Sequence, residues 1–183
     1  METFEALERR RSVRSYRPEQ VRPEDLEKLL QAGLRAPYAG PFLISVVQRP
    51  ALLQQIADAA LEAMKSSPID FLRQQASTPG YNPLYGAPTL LLFTAPADAM
   101  NGAANCALAA ENIILAATDL GFGTCYMGSP SSALNGPHGA ELAKAIGIPE
   151  GYVFRSSVAI GYPGAEAAYR PLRREGGRVA YVR

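Results

Sequence analysis

Leu26, Leu29, Leu30 and Leu34 recur at i, i+3, i+4 and i+8, which marks one apolar face of a helix. Pro23 opens that helix and Pro37 closes it. A shorter helix is predicted over Thr3 to Arg11, with Phe4 and Leu7 three apart and Thr3 as N-cap, followed by a turn over Ser12 to Tyr16. Phe42 to Gln48 is apolar and β-branched, hence a strand, and Ala51 to Lys65 is again helical. Thr89 to Thr94 is a continuous apolar run between prolines, which predicts a buried strand. Asn101 or Gly102 to Leu120 is apolar nearly all round and ends at Gly121, placed as a C′ glycine. A helix of that kind is buried on every side, and in so short a chain this points to packing against a second copy. Gly123 to Met127 is the next strand, ending at Gly128. A short helix over Gly139 to Ile146, a strand over Val153 to Ile160 and a last short strand over Val179 to Val182 complete the chain.

Residues 66–85 break the pattern. Pro68, Pro79, Gly80, Asn82 and Pro83, with Tyr81 and Tyr85, predict a partly helical excursion or a flap. Helices and strands mix without strict alternation, so the fold class is α+β rather than a doubly wound sheet. With 183 residues and no linker or repeat, residues 1–183 are expected to form a single domain.

Charge changes the picture through its placement. The net charge of +1 gives no reason to expect nucleic acid or an anionic membrane as partner. Of 18 basic residues only Lys28, Lys65 and Lys144 are lysines. Arginines crowd the start (Arg9, Arg10, Arg11, Arg14, Arg17, Arg22) and the end (Arg170, Arg173, Arg174, Arg178, Arg183). Arginine forks suit phosphate or carboxylate, so both ends could converge on one anion; solvated surface charge is the plainer alternative. Cys106 and Cys125 stand in apolar surroundings as free thiols, and no signal peptide precedes the first helix, so a cytoplasmic location is expected. The apolar run from Ala103 to Leu120 holds too many polar residues for a membrane span.

Candidate chemistry concentrates in Arg9-Arg10-Arg11-Ser12-Val13-Arg14, where several cationic forks and a hydroxyl sit at a helix-to-turn junction. That donor set suits a phosphate monoester. Gly121-Phe122-Gly123-Thr124 looks like half a dinucleotide fingerprint, but it follows a helix and precedes a strand, the reverse of the required order. A single histidine, His138, excludes a multi-histidine metal site within one chain, and no nucleophile elbow accompanies it. Glu111 and Asn112 lie inside the apolar helix, either as a hydrogen-bonded interface pair or as catalytic groups.

Taken in order, these segments resemble the nitroreductase family of FMN enzymes. Arg10-Arg11-Ser12-Val13-Arg14-Ser15-Tyr16 is similar to its N-terminal motif, and Arg35-Ala36-Pro37-Tyr38-Ala39-Gly40 to its Ala-Pro-Ser turn. Gly86-Ala87-Pro88, the run from Asn105 to Asn112 with Leu120 to Gly128, Ile148 to Tyr152 and Ala159 to Pro163 follow in the family's order. The resemblance implies an α+β fold with a central, mostly antiparallel sheet flanked by helices, in an intertwined homodimer with FMN at the interface. It implies that Arg10, Arg11, Ser12 and Arg14 hold the FMN phosphate and ribityl chain, joined by Arg173 and Arg174 from the other end. Pro37, Tyr38, Ala39 and Gly40 would lie against the flavin, and Tyr126, Met127 and Gly128 beside its ring edge.

The implied activity is hydride transfer from NADH or NADPH to a nitroaromatic, a quinone or a related electrophile. The same resemblance leaves open the substrate-oxidising direction, reductive dehalogenation, and a flavin-binding protein without turnover. FMN supplies the redox chemistry, so neither a side-chain nucleophile nor a metal is required. The chain departs from the family after Pro37: Tyr38-Ala39-Gly40-Pro41-Phe42 is shorter and lacks the amides that usually touch the flavin. Either the pocket opens there or Tyr38 stacks in it.

Overall fold

A computed structural model describes residues 1–165 and 177–182. Four strands, β1 (Leu43–Val47), β2 (Thr89–Pro96), β3 (Gly123–Met127) and β4 (Tyr152–Gly161), form one antiparallel sheet in the order β1-β2-β4-β3. Seven helices surround it: α1 (Thr3–Arg9), α2 (Pro23–Leu34), α3 (Pro50–Lys65), α4 (Asp70–Ala76), α5 (Gly102–Asp119), α6 (Ser129–Leu134) and α7 (Gly139–Ile146). The expected α+β class and antiparallel sheet are therefore found.

β2 is apolar at successive positions because it is covered on both sides. Alternate residues of a strand point to opposite faces. Leu91, Phe93 and Ala95 join α2, α5, Val158 and Ile160 in one core. Leu90 and Leu92 join α3, Ala133 of α6, Leu142 of α7 and Ala159 in the other. Phe93 is fully buried, which is worth about 1.5–3 kcal/mol in transfer free energy. β2 pairs with β4 over most of its length, with a register shift at Phe93/Thr94.

α5 ends as expected at Gly121, whose φ of 81° is reached without strain by glycine alone. Phe122 N–H donates to Ala117 O at 2.8 Å and Gly121 N–H to Thr118 O at 3.2 Å, closing the last turn in a Schellman motif. That reversal sends the chain straight into β3.

Several expectations need correction. α1 stops at Arg9, because Arg10 leaves helical geometry at ψ 133° and Ser12 pairs with β3. Thr3 lies inside α1, and the N-cap is Glu2, without a side-chain cap bond. Residues 66–85 are partly helical as expected, through α4, whereas α6 follows Gly128 directly where no helix was expected. Residues 179–182 form no strand and are exposed. Finally, α5 is not covered all round by its own chain. Asn105, Cys106, Ala109, Ala110, Ile113, Ile114 and Ala117 are buried, whereas Ala103, Ala104, Ala107 and Leu108 are exposed. Among the described residues no helix is long and apolar enough to cross a membrane.

The N-terminal segment after α1 lies so close to β3 that a Cβ at Gly123 would sit 2.8 Å from Val13 Cγ1 and 2.9 Å from Val13 Cβ. Both atoms belong to a β-branched side chain with little freedom to move. Gly123→Ala is expected to lower stability by about 1–3 kcal/mol through overpacking, read as a reduced midpoint in urea denaturation. An unchanged midpoint would contradict the close approach of residues 13 and 123.

Candidate functional site

The basic segment is fixed by backbone pairing. Ser12 forms a parallel bridge with Thr124, and Val13 N–H donates to Thr124 O at 2.7 Å. Arg17 N–H donates to Tyr162 O at 2.9 Å and Gly164 N–H to Ser15 O at 2.8 Å, so residues 12–17 run beside β3 and along the exit of β4. The Tyr16 hydroxyl donates to Val13 O at 2.8 Å and tightens the turn. Burial pushes the Tyr16 phenol far above its ordinary pKa, so it stays neutral.

Each arginine in this segment meets a different environment. Arg10 Nε lies 3.3 Å from Glu111 Oε1 of α5, an ion pair whose angle makes no hydrogen bond. Arg11 Nη1 donates to the carbonyls of Glu8 and Arg10, tying its guanidinium to the end of α1. Arg14 is exposed, and its nearest polar contact is Ser12 O at 3.4 Å. Among the described residues it has no carboxylate partner, and its guanidinium lies 5.8 Å from the centre of the Tyr85 ring. Three cations within five residues, with Arg14 lacking a carboxylate partner among the described residues, favour an anionic ligand.

β3 carries the second part of the site. Tyr126 is half-exposed, whereas Met127 and Cys125 are buried and Gly128 is exposed at the start of α6. Ser129 Oγ donates to Pro83 O at 2.7 Å, which ties the end of residues 66–85 to the β3–α6 junction. Cys125 lies behind the basic segment. Burial raises its thiol pKa, against the opposing pull of the Arg14 charge and a hydrogen bond from Ser12. Burial likewise pushes Cys106 up to about 11. Neither thiol is a ready nucleophile at neutral pH.

The turn Pro37, Tyr38, Ala39 and Gly40 is exposed and is held elsewhere. Ala39 N–H donates to Asn105 Oδ1 at 3.2 Å, and Asn105 Nδ2 donates back to Ala39 O at 3.0 Å. Gly40 takes a φ of 88°, which lets the chain reverse there. Asn105 and Glu111 are six residues apart on α5, which is roughly 9 Å of rise and about 240° of rotation. Within one chain, then, the turn and the arginines are fastened to different sides of the same helix. Tyr38 is 60% exposed and meets Phe42 edge-on at 5.4 Å between ring centres.

Of the sequence-predicted residues, Arg10, Arg11, Ser12 and Arg14 are therefore brought alongside the strand that bears Tyr126, Met127 and Gly128. Pro37 to Gly40 form a separate group. Arg173 and Arg174 lie outside the described residues. Glu111 and Asn112 are partnered within the chain, Glu111 with Arg10 and Asn112 through Nδ2 to Ala32 O at 3.1 Å. The sequence reading did not assign Asn105 as the clamp on the turn, although an amide in an apolar helix must find a partner. Nor did it place Tyr85 against Arg14, since their separation in sequence carries no local signal.

Residues 7–162 match the family model described as the nitroreductase family. An Archaeoglobus fulgidus protein named "Putative NADH dehydrogenase/NAD(P)H nitroreductase" is 30% identical over 165 residues, covering 88% of this chain and 86% of that protein. The crystal structure of a nitroreductase with bound FMN from Bacteroides fragilis superposes with a TM-score of 0.90 at 27% identity, covering 100% of both chains. A nitroreductase with bound FMN from Desulfitobacterium hafniense gives a TM-score of 0.90 at 25% identity, again over 100% of both chains. With the family model matching residues 7–162 and these relatives covering nearly all of its length, the chain belongs to the nitroreductase family.

Proposed function

We propose that this protein is an FMN-dependent oxidoreductase that takes hydride from NADH or NADPH and delivers it to a nitroaromatic, a quinone or a related electrophile. The observation that carries the reading is the row Arg10, Arg11, Ser12 and Arg14, anchored on β3, with Arg14 lacking a carboxylate partner among the described residues. Such a donor set fits a phosphate monoester in charge and in hydrogen-bonding geometry. The FMN-bound relatives support the choice of ligand.

FMN, when bound, supplies the two-electron chemistry, and the protein supplies orientation and electrostatics. Arg10, Arg11, Ser12 and Arg14 bind the phosphate and ribityl chain, with Arg173 and Arg174 assigned to the same anion. Tyr126, Met127 and Gly128 line the flavin ring edge. Glu111 steers Arg10 by its charge, and Tyr16, neutral and hydrogen-bonded, braces the backbone beneath Arg14.

The working unit is a homodimer. A single chain leaves Ala104, Ala107 and Leu108 of α5 uncovered, and Leu108 is 45% exposed; Phe4 and Leu7 of α1, which packs on α5, are exposed as well. An apolar strip of this kind calls for a covering surface. The separation of the 37–40 turn from the arginines favours the same arrangement, with the turn of one chain completing the site of the other.

Three measurements test these assignments. Arg14→Ala should weaken FMN binding by about 1.5–3 kcal/mol in a fluorescence titration, the scale of a hydrogen bond to a charged group; unaltered affinity would remove Arg14 from the site. Leu108→Glu places a carboxylate on the uncovered strip, where the single chain can still fold. Sedimentation should show monomers that bind FMN poorly, and an intact dimer would refute the interface. Anaerobic addition of NADH and then NADPH to the flavin-loaded protein should bleach its visible absorbance with at least one of them. Flavin that resists both would shift the function to substrate oxidation or to a carrier role.

A further inference from the structure

Tyr85 is the one non-glycine residue among those described with a positive φ, at 56°. A bulky side chain rarely adopts this geometry, and such strain persists only where its surroundings impose it. Here those surroundings are explicit. Tyr85 N–H donates to Asn82 O at 2.9 Å, Leu84 N–H to Asn82 Oδ1 at 2.7 Å, and Ala87 N–H to Leu84 O at 3.1 Å. Leu84 is buried, and Ser129 Oγ holds Pro83 O from α6. The following Gly86 also has positive φ, at 69°.

Tyr85 is half-buried at the edge of the core beside the fully packed Leu84, so part of its ring stays outside the core contact. What it does is present an aromatic ring to Arg14. The guanidinium lies 5.8 Å from the ring centre, within the range of a cation–π interaction. On its other flank the ring of Tyr85 meets Tyr81 edge-on, with centres 6.1 Å apart and planes at 80°. Burial raises the pKa of Tyr81, with Tyr85 adding to the effect.

We propose that Tyr85 is a positioning residue for Arg14: its ring, fixed by the 82–87 turns and backed by Tyr81, holds the guanidinium at the cofactor's anionic group before that group arrives. The proposal rests on the FMN site described above. A long arginine side chain gives up rotamer freedom when it binds an anion, and a surface that already restrains it removes part of that cost. A guanidinium held by a ring through its face keeps in-plane N–H donors for a ligand. Glu111 and Tyr85 then divide the work. The carboxylate directs Arg10 from α5, and the ring directs Arg14 from the opposite part of the chain.

The test is a set of FMN titrations, followed by flavin fluorescence, on Tyr85→Gly, Tyr85→Phe, Arg14→Ala and the Tyr85→Gly/Arg14→Ala double variant, with melting temperatures measured in parallel. Glycine relieves the positive φ while removing the ring, so the melting temperature should hold or rise while FMN binding weakens about three- to tenfold. Phenylalanine keeps the ring and the strain, and should bind FMN within about twofold of the parent. In the Arg14→Ala background the glycine substitution should cost nothing further, because the ring acts through that guanidinium. Unchanged affinity in Tyr85→Gly, an equal loss in Tyr85→Phe, or full additivity in the double variant would each overturn the positioning role while leaving Arg14 in the site. If Arg14→Ala itself binds FMN like the parent, the phosphate assignment fails and the role of Tyr85 fails with it.

Discussion

Polar side chains on α5 cannot enter an apolar interior without partners, and the candidate site hangs from the partners they find. Asn105, buried to 3% exposure, can satisfy its amide only by gripping both the N–H and the carbonyl of Ala39. Asn112 reaches the carbonyl of Ala32 near the end of α2. Glu111, on the more open side, draws in Arg10. Each contact is a modest stabiliser taken alone, but leaving one buried member unpaired costs about 1–3 kcal/mol. One helix therefore sets the position of α2, the 37–40 turn and the first arginine of the basic segment at once. Its C-terminal reversal at Gly121 does the same for β3, and β3 in turn holds Ser12 and Val13.

The parts of this arrangement that were legible in the sequence are those with strong periodicity or a hard steric requirement. Leu26, Leu29 and Leu30 of α2, the unbroken run of β2 and the terminal glycine of α5 sit where the pattern puts them, because the two sides of the sheet and the Schellman turn leave few other solutions; Leu34, at the end of α2, is instead 50% exposed. β3 and α7 were legible despite their length, but the positions of two other short helices were not. α4 exposes Phe71 and buries only Ala76 fully, so no apolar stripe announces it. α6 is six residues opened by Ser-Pro-Ser-Ser, a run that also reads as a turn. Val179 to Val182 has the composition of a strand, but strand composition reports burial and pairing, and these residues are exposed.

The site was legible to a similar degree and for similar reasons. The basic segment is contiguous, so its chemistry can be read directly from neighbouring letters. Its supports come from residue 85, residue 111 and residue 124, whose proximity depends on the packed fold. The apolar character of α5 shows how composition can mislead in detail: Ala109 and Leu108 look equivalent in a helix of alanines and leucines, yet one is wholly buried by its own chain and the other is open. Composition states that an apolar surface wants cover without stating whose surface provides it.

Electrostatics links the site back to stability. Arg10, Arg11 and Arg14 crowd within five residues, and like charges at that spacing repel through a medium less screening than bulk water. Among the described residues the fold answers this with an ion pair from Arg10 to Glu111, carbonyl oxygens for Arg11, and a tyrosine ring for Arg14. The left-handed geometry of Tyr85 adds strain at the same place. A bound dianion would oppose the repulsion directly and would be worth more to the folded chain than to the unfolded one, in which the arginines are apart. Under the proposed assignment, ligand binding and folding stability would be coupled by mass action, because charge repulsion and backbone strain meet at the place where an anionic ligand would bind.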